Sequence, residues 1–307
     1  MFKKILFPTT GSPSCDDAAR VAFDMAKRYE AELVVFHVIG LPSRGYSQEV
    51  KDFRTGEKIH CDEDYVQWVR EELKNTYDNQ LKKYSNIRIE TVSGVKHTEI
   101  LRMARKEDAD LIVMGACISL DDQGDYVCAK GAGKTLQMVA KSARPPVLVI
   151  GRPVASLWGG ISNIVFCTDF SRACESAFDF AYKTAKKIKC TLHLFHACDI
   201  SSIHSGRMSS QDNIEDKLME ARDKIRKQYL SRIEGIDDCD IEVWEGIPYV
   251  EIVKFAREKQ ADLIVMAHHT VDKDPEKEML GSTLEQVALR GTCPVVSVNH
   301  PDKLKDL

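Results

Sequence analysis

The chain has 307 residues, with 43 Lys and Arg against 47 Asp and Glu and a formal net charge of −4. That balance leaves no electrostatic footprint for nucleic acid, and the longest apolar runs, such as Leu111 to Cys117, fall far short of a membrane span. A hydrophobic content of 43% over this length describes a globular protein of about two domains, each able to bury its own core.

The start, Met1-Phe2-Lys3-Lys4-Ile5, leads straight into a strand-like run, so no signal peptide is read there. None of the ten cysteines forms a Cys-x-x-Cys pair, and Cys167, Cys190 and Cys198 lie inside apolar runs, where a reduced thiol acts as a small hydrophobe. The expected compartment is reducing and cytoplasmic.

Lys4 to Pro8 reads as a short strand ended by Pro, Gly and Ser. Ser12 or Ser14 is placed to cap a helix over roughly 15–29, with Ala18, Val21, Ala22, Met25 and Ala26 at helical spacing. Leu33 to Ile39 is a continuous apolar run, as in a strand buried on both faces. The polar stretch 40–61, with Pro42, Gly45 and Gly56, reads as a mobile loop or lid. A helix fits 62–84, a strand Arg88 to Ser93, a helix 97–106 and a strand 110–114. A loop then leads to a helix starting near Gly133 and a strand at 146–150.

The second half repeats this. Ile5-Leu6-Phe7-Pro8-Thr9-Thr10-Gly11-Ser12 returns as Ile164-Val165-Phe166-Cys167-Thr168-Asp169-Phe170-Ser171. The register holds through Cys15/Cys174 and Phe36-His37/Phe195-His196, and again from Ala109 to Met114 against Ala261 to Met266. Helices fit 213–233 and 248–259, with Pro248 in the first turn, and strands Asp240 to Trp244, 262–266 and 294–298. The Ser-rich 199–212 matches the loop 40–61. A period near 150 residues is too long for a solenoid and marks a whole-domain duplication. The domains are 1–150 and 163–307, joined by a linker at 151–162.

Strict β-α alternation implies an α/β fold: in each domain a doubly wound, five-stranded parallel sheet with about four helices. In such sheets, ligands bind beyond the carboxyl ends of the strands where strand order reverses. That points to the loops after the first and second strands and before the last helix. Glycines there let backbone N–H groups approach phosphates, and a helix N-terminus adds its positive dipole end.

The residues at these loops resemble the universal stress protein family, in a tandem form covering nearly the whole chain. The family pattern is an Asp after strand 1, a His-Val-like end of strand 2, then Met-Gly-x-x-Gly, about nine residues, and Gly-Ser/Thr. The resemblance implies an adenine nucleotide alpha hydrolase-like, Rossmann-like fold and binding of ATP or AMP. No metal is required beyond a magnesium ion accompanying the nucleotide. In the first half Pro8, Val38, Met114, Gly115 and Gly133 match, followed by Lys134 and Thr135, whereas Thr10 replaces the Asp and Ile118 the second glycine. In the second half Asp169, Met266, Gly281, Ser282 and Thr283 match. There Cys167 replaces the Pro, Ala197 the Val, Ala267 the first glycine and Thr270 the second. The second half is favoured for nucleotide because it keeps both Asp169 and Gly281-Ser282-Thr283. Asp169 has two readings: a partner for ribose or the adenine amino group or, with Ser171, a cap for the next helix.

Family members usually dimerise through their last strands. The tandem chain is therefore expected to be an intramolecular pseudo-dimer with strands 146–150 and 294–298 in contact, and a homodimer is also open. Other motifs carry less. Gly131-Ala132-Gly133-Lys134-Thr135 lacks the first glycine of a P-loop, since Cys128 stands there. His268-His269 makes a poor chelating pair on extended chain. His37 and His196 read as structural, bonded to backbone or carboxylate. Cys15 and Cys174 sit where a helix N-terminus can lower a thiol pKa, or are packed and inert. No Ser-His-Asp order, carboxylate pair or nucleophile elbow is tied to the cleft, so no reaction follows. Three readings stay open: a stress-response nucleotide binder or sensor, a scaffold for another ligand or protein, and a nucleotide hydrolase or transferase.

Overall fold

The computed structural model describes residues 1–41, 49–116, 118–120, 126–128, 133–152, 160–199, 211–236, 238–268 and 282–304. In the first half the chain runs β1 (Lys4–Pro8), α1 (Asp16–Tyr29), β2 (Glu32–Gly40), β3 (Glu49–Lys51) and β4 (Lys58–His60). It continues through α2 (Glu63–Thr76), α3 (Asp78–Leu81), β5 (Ile87–Gly94), α4 (Lys96–Lys106) and β6 (Leu111–Gly115). The half ends with β7 (Ile118–Leu120), β8 (Tyr126–Cys128), α5 (Lys134–Ser142) and β9 (Val147–Ile150). The second half runs β10 (Asn163–Cys167), α6 (Ala173–Ile188), β11 (Thr191–Cys198), α7 (Gln211–Gln228) and β12 (Cys239–Glu245). It closes with α8 (Pro248–Glu258), β13 (Leu263–Met266), α9 (Ser282–Arg290) and β14 (Val295–Ser297).

Ten strands form one sheet in the order β12-β11-β10-β13-β14-β9-β6-β1-β2-β5. Within each half all five strands are parallel, and the halves join where β14 pairs antiparallel with β9. The expected contact between the last strands is therefore a ladder, with Leu148 facing Val296. Those two residues hold equivalent places in the two copies, so the pseudo-twofold axis passes between them.

Alternate residues of each strand feed opposite faces. Ile5 and Phe7 join a core with α1, α2, α6 and α7, while Leu6 joins one with α4, α5, α8 and α9. Both cores run through both halves, because Leu148 and Val296 lie in one and Val147, Val149 and Val295 in the other.

Several local expectations are corrected. Neither Ser12 nor Ser14 caps α1; a 3₁₀ turn over Pro13–Cys15 precedes it, and Cys15 takes the cap position without a side-chain bond. The helix expected over 62–84 breaks at Tyr77, whose ring is buried at the turn between α2 and α3. The helix expected over 213–233 stops at Gln228, and a 3₁₀ turn follows at Leu230–Arg232. Part of the stretch 40–61, read as loop, forms the β3–β4 hairpin with Val50 buried, which does not bear on whether the stretch moves. Residues 42–48, 153–159 of the expected linker, and 200–210 of the Ser-rich loop lie outside the described residues.

Because the cores are continuous across the β9–β14 ladder, heat should unfold both halves in one calorimetric transition. Leu148→Ala should destabilise that single transition by about 2–5 kcal/mol, the usual cost of a core cavity. Two separated transitions in the parent protein would contradict this.

Candidate functional site

From β1 the chain builds outward on one side through β2 and β5, then crosses to the other side for β6 and β9. The second half does the same around β10. Loops leaving β1 and β6 therefore diverge, as do those leaving β10 and β13, and each pair opens a crevice at the carboxyl ends of the strands.

In the first half the crevice is a cavity of about 240 Å3. All eight residues singled out there line it: Pro8, Thr10, Val38, Met114, Gly115, Gly133, Lys134 and Thr135. Phe36, Ile100 and Leu136 add apolar wall, and Lys96 from the first turn of α4 adds a second ammonium. Gly133 holds φ 74° at the cap of α5, a left-handed conformation that side chains with a Cβ resist. The first N–H groups of α5, which have no partner within the helix, begin at this wall.

The second crevice is nearly the same size, about 230 Å3, and Asp169, Met266, Ala267 and Thr283 line it with Cys167, His196 and His268. Ser282 is the first residue of α9. Thr270 and Gly281 lie outside the described residues.

Beneath each crevice lies the same buried latch. The Thr9 hydroxyl bonds the Tyr77 hydroxyl at 2.7 Å and accepts from Gly11 N at 3.0 Å, while His37 Nδ1 donates to the Thr9 carbonyl at 2.8 Å. In the second half Thr168 meets Tyr229 at 3.0 Å and Phe170 N at 2.9 Å, and His196 Nδ1 donates to the Thr168 carbonyl at 2.7 Å. The histidines are thus structural, as the sequence indicates. The Thr–Tyr half of the latch is missed by motif reading, although Thr9/Thr168 and Tyr77/Tyr229 recur in both copies. Burial is the main cause that lowers both histidines below their ordinary 6.5, against the raising effect of the backbone bond.

The rims differ in charge. Lys96 and Lys134 of the first crevice stand where the second copy has Pro248 and Ser282, and Thr10 stands where it has Asp169. Thr10 Oγ1 lies 2.6 Å from Ser12 Oγ and 3.2 Å from Cys15 Sγ. Asp169 Oδ1 accepts from Ser171 N at 2.8 Å and from Cys174 Sγ at 3.0 Å. Asp169 thereby closes a turn ahead of α6, which starts after Arg172 with no side-chain cap. Burial first, then the Asp169 carboxylate, pushes the Cys174 thiol up to about 11. At neutral pH Cys174 is therefore a hydrogen-bond donor rather than a nucleophile. His268 is buried and its N–H donates to Asn299 Oδ1 at 2.8 Å; His269 lies outside the described residues. Among the described residues, no three His, Cys, Asp or Glu side chains converge as a metal site, and no helix is long and apolar enough to cross a membrane.

A duplicated, doubly wound sheet with a crevice at each switch point defines the class. The model of the universal stress protein family matches residues 1–151 and 160–299, and the chain belongs to that family. Universal stress protein MJ0531 of Methanocaldococcus jannaschii is 30% identical over 159 residues, which is 50% of this chain and 84% of that protein. Universal stress protein MJ0577 of the same organism is 31% identical over 157 residues, 45% of this chain and 94% of that protein. Among solved structures, a universal stress protein from Archaeoglobus fulgidus superposes with a TM-score of 0.64 at 18% identity, covering 97% of both chains. That likeness is one of fold, and it extends over both halves.

The latch sets a pH dependence. The fold holds neutral His37 and His196 below 6.5, so on acidification the unfolded chain takes up these protons first. Their stabilising effect is complete above about 6.5 and is lost as the pH falls towards the folded-state values. Urea denaturation at a series of pH values should show stability declining below about 6.5, and His37→Asn with His196→Asn should flatten the decline. An unchanged slope in that double variant would contradict the assignment.

Proposed function

We propose that this universal stress protein is an adenine-nucleotide binder or sensor that works by occupancy rather than turnover, and that its first crevice takes the phosphates. One observation carries the reading: Gly133 and Lys134 open α5 onto the switch-point crevice, with Lys96 of α4 on the same wall. Backbone donors at a helix start, a positive-φ glycine and two ammonium groups suit a phosphate chain. Phe36, Val38, Ile100 and Met114 offer the apolar surface that a purine needs.

The motif count in the sequence favours the second crevice, but charge favours the first. Asp169 brings a negative charge to a rim that has Pro248 and Ser282 in place of lysines, and its Oδ1 already accepts two hydrogen bonds. The second crevice then serves the nucleoside end of a ligand better than the phosphate end. No group in either crevice is arranged to activate a water or a nucleophile among the described residues.

Calorimetric titration with AMP and ATP tests the proposal. Both should bind, ATP more tightly, and Lys134→Ala should weaken ATP by about 1–2 kcal/mol while leaving AMP nearly unchanged. Phosphate should not accumulate over hours. Absence of heat at millimolar nucleotide overturns the reading in favour of a scaffold. Loss caused by Asp169→Ala but not by Lys134→Ala moves the site to the second half, and steady phosphate release makes the protein a hydrolase.

A further inference from the structure

Lys96 and Lys134 stand at the margin of the first crevice. These two residues and Thr135 also wall a second, larger hollow of about 640 Å3, so the two spaces adjoin at these side chains. The far wall is the β3–β4 hairpin, which contributes Glu49, Val50, Lys51 and Lys58. His97 of α4 lines it as well, close enough to Lys134 for that charge to lower its pKa after burial has done so.

The hairpin has an unusual pairing. Lys51 faces Lys58 directly across the antiparallel ladder, and both are exposed. Like charges in opposed positions destabilise a two-stranded ladder, and an anion held between them relieves the repulsion. Some lysines elsewhere sit on carboxylates, as Lys4, Lys254 and Lys259 do. Among the described residues Lys51, Lys58, Lys96 and Lys134 make no ion pair with one another's neighbours. Glu49 is the one carboxylate among the described residues of this wall, and it is engaged in an interaction of its own.

We propose that this hollow is a second anion subsite, adjoining the first crevice, and that the ligand is a nucleotide whose phosphate chain runs past Lys96 and Lys134 to end on Lys51 and Lys58. The class is a nucleoside polyphosphate with a chain longer than a triphosphate. This rests on the nucleotide reading of the first crevice. The hollow is larger than the crevice that feeds it, so it has room for a terminal phosphate or for a second nucleoside beyond it. At the positions of the two lysines that lead out of the crevice, the second half has Pro248 and Ser282, which carry no charge.

The test is calorimetric titration of the full chain with AMP, ATP, adenosine 5′-tetraphosphate, diadenosine tetraphosphate and inorganic tripolyphosphate. It is done on the parent protein and on the double variant Lys51→Gln/Lys58→Gln, with thermal denaturation confirming that the variant folds. Affinity should rise from ATP to adenosine tetraphosphate. The double variant should lose about tenfold for both tetraphosphates, the sum of two partly exposed ion pairs, and less than about twofold for AMP. Diadenosine tetraphosphate binding more tightly than adenosine tetraphosphate places a second nucleoside in the hollow, and equal affinity leaves the chain alone there; both support the subsite. Equal affinity for ATP and adenosine tetraphosphate, or no effect of the hairpin substitutions, overturns it while the nucleotide reading stands. Tripolyphosphate bound through Lys51 and Lys58 with no binding of any adenine compound overturns the nucleotide reading and this ligand class together.

Discussion

The antiparallel ladder between β9 and β14 governs the rest of the molecule. A five-stranded parallel sheet has an edge at its last strand, and an uncovered edge is a template for pairing with another chain. Here each half covers the edge of the other, and Val147, Leu148, Val149, Val295 and Val296 are all nearly or wholly removed from solvent. The duplication thus closes both of these edges within one chain. Equivalent residues meet at the axis: Leu148 faces Val296, and Gln137 donates to Glu285 at 3.0 Å.

An antiparallel seam also fixes where the crevices lie. The strands of the two halves point in opposite directions, so their carboxyl ends, and the crevices built on them, fall at opposite ends along the strand direction. The sites cannot merge into one. They are joined instead through the helices that open onto them, since α5 begins at the first crevice and α9 at the second. The Gln137–Glu285 bond ties these helices together. Asn299 adds a second tie, donating to the Ala140 carbonyl of α5 and accepting from His268 N beside the second crevice. Two polar bridges thus run alongside the one seam.

How much of this was legible in the sequence depended on the kind of interaction. The parallel strands were, because a strand buried on both faces must be mostly apolar, as Leu33 to Ile39 is apart from His37. The positions of Pro8, Met114 and Gly133 were, because repetition and spacing place them at strand and helix ends. The break at Tyr77 was not: nothing local marks it, and what decides it is a long-range bond from its hydroxyl to Thr9, 68 residues away. Lys96 was missed for a similar reason, since only the packing of α4 beside β2 brings it to the crevice. The hairpin was hidden by its polar composition, in which one buried valine, Val50, supplies the anchor.

The latch and the rims have diverged at different rates, and burial explains why. Thr9 and Thr168 are each only 6% exposed, and removing one member of such a network strands a polar partner away from water. Both copies accordingly keep Thr, His and Tyr. Even the aromatic cover over the histidine is kept by different means. In the first half Gly11 at φ 69° leaves room for Phe53, whose ring lies 5.3 Å from that of His37. A Cβ on Gly11 would collide with that ring. In the second half the equivalent residue is Phe170, held at φ 62° with its own ring 4.6 Å from that of His196. The strained backbone is retained and the ring arrives from a different place in the chain. At the rim, where side chains meet solvent, exchanging Lys134 for Ser or Thr10 for Asp alters charge at little cost in stability. The fold therefore protects the floor of both crevices while leaving the charge of the rim free to vary.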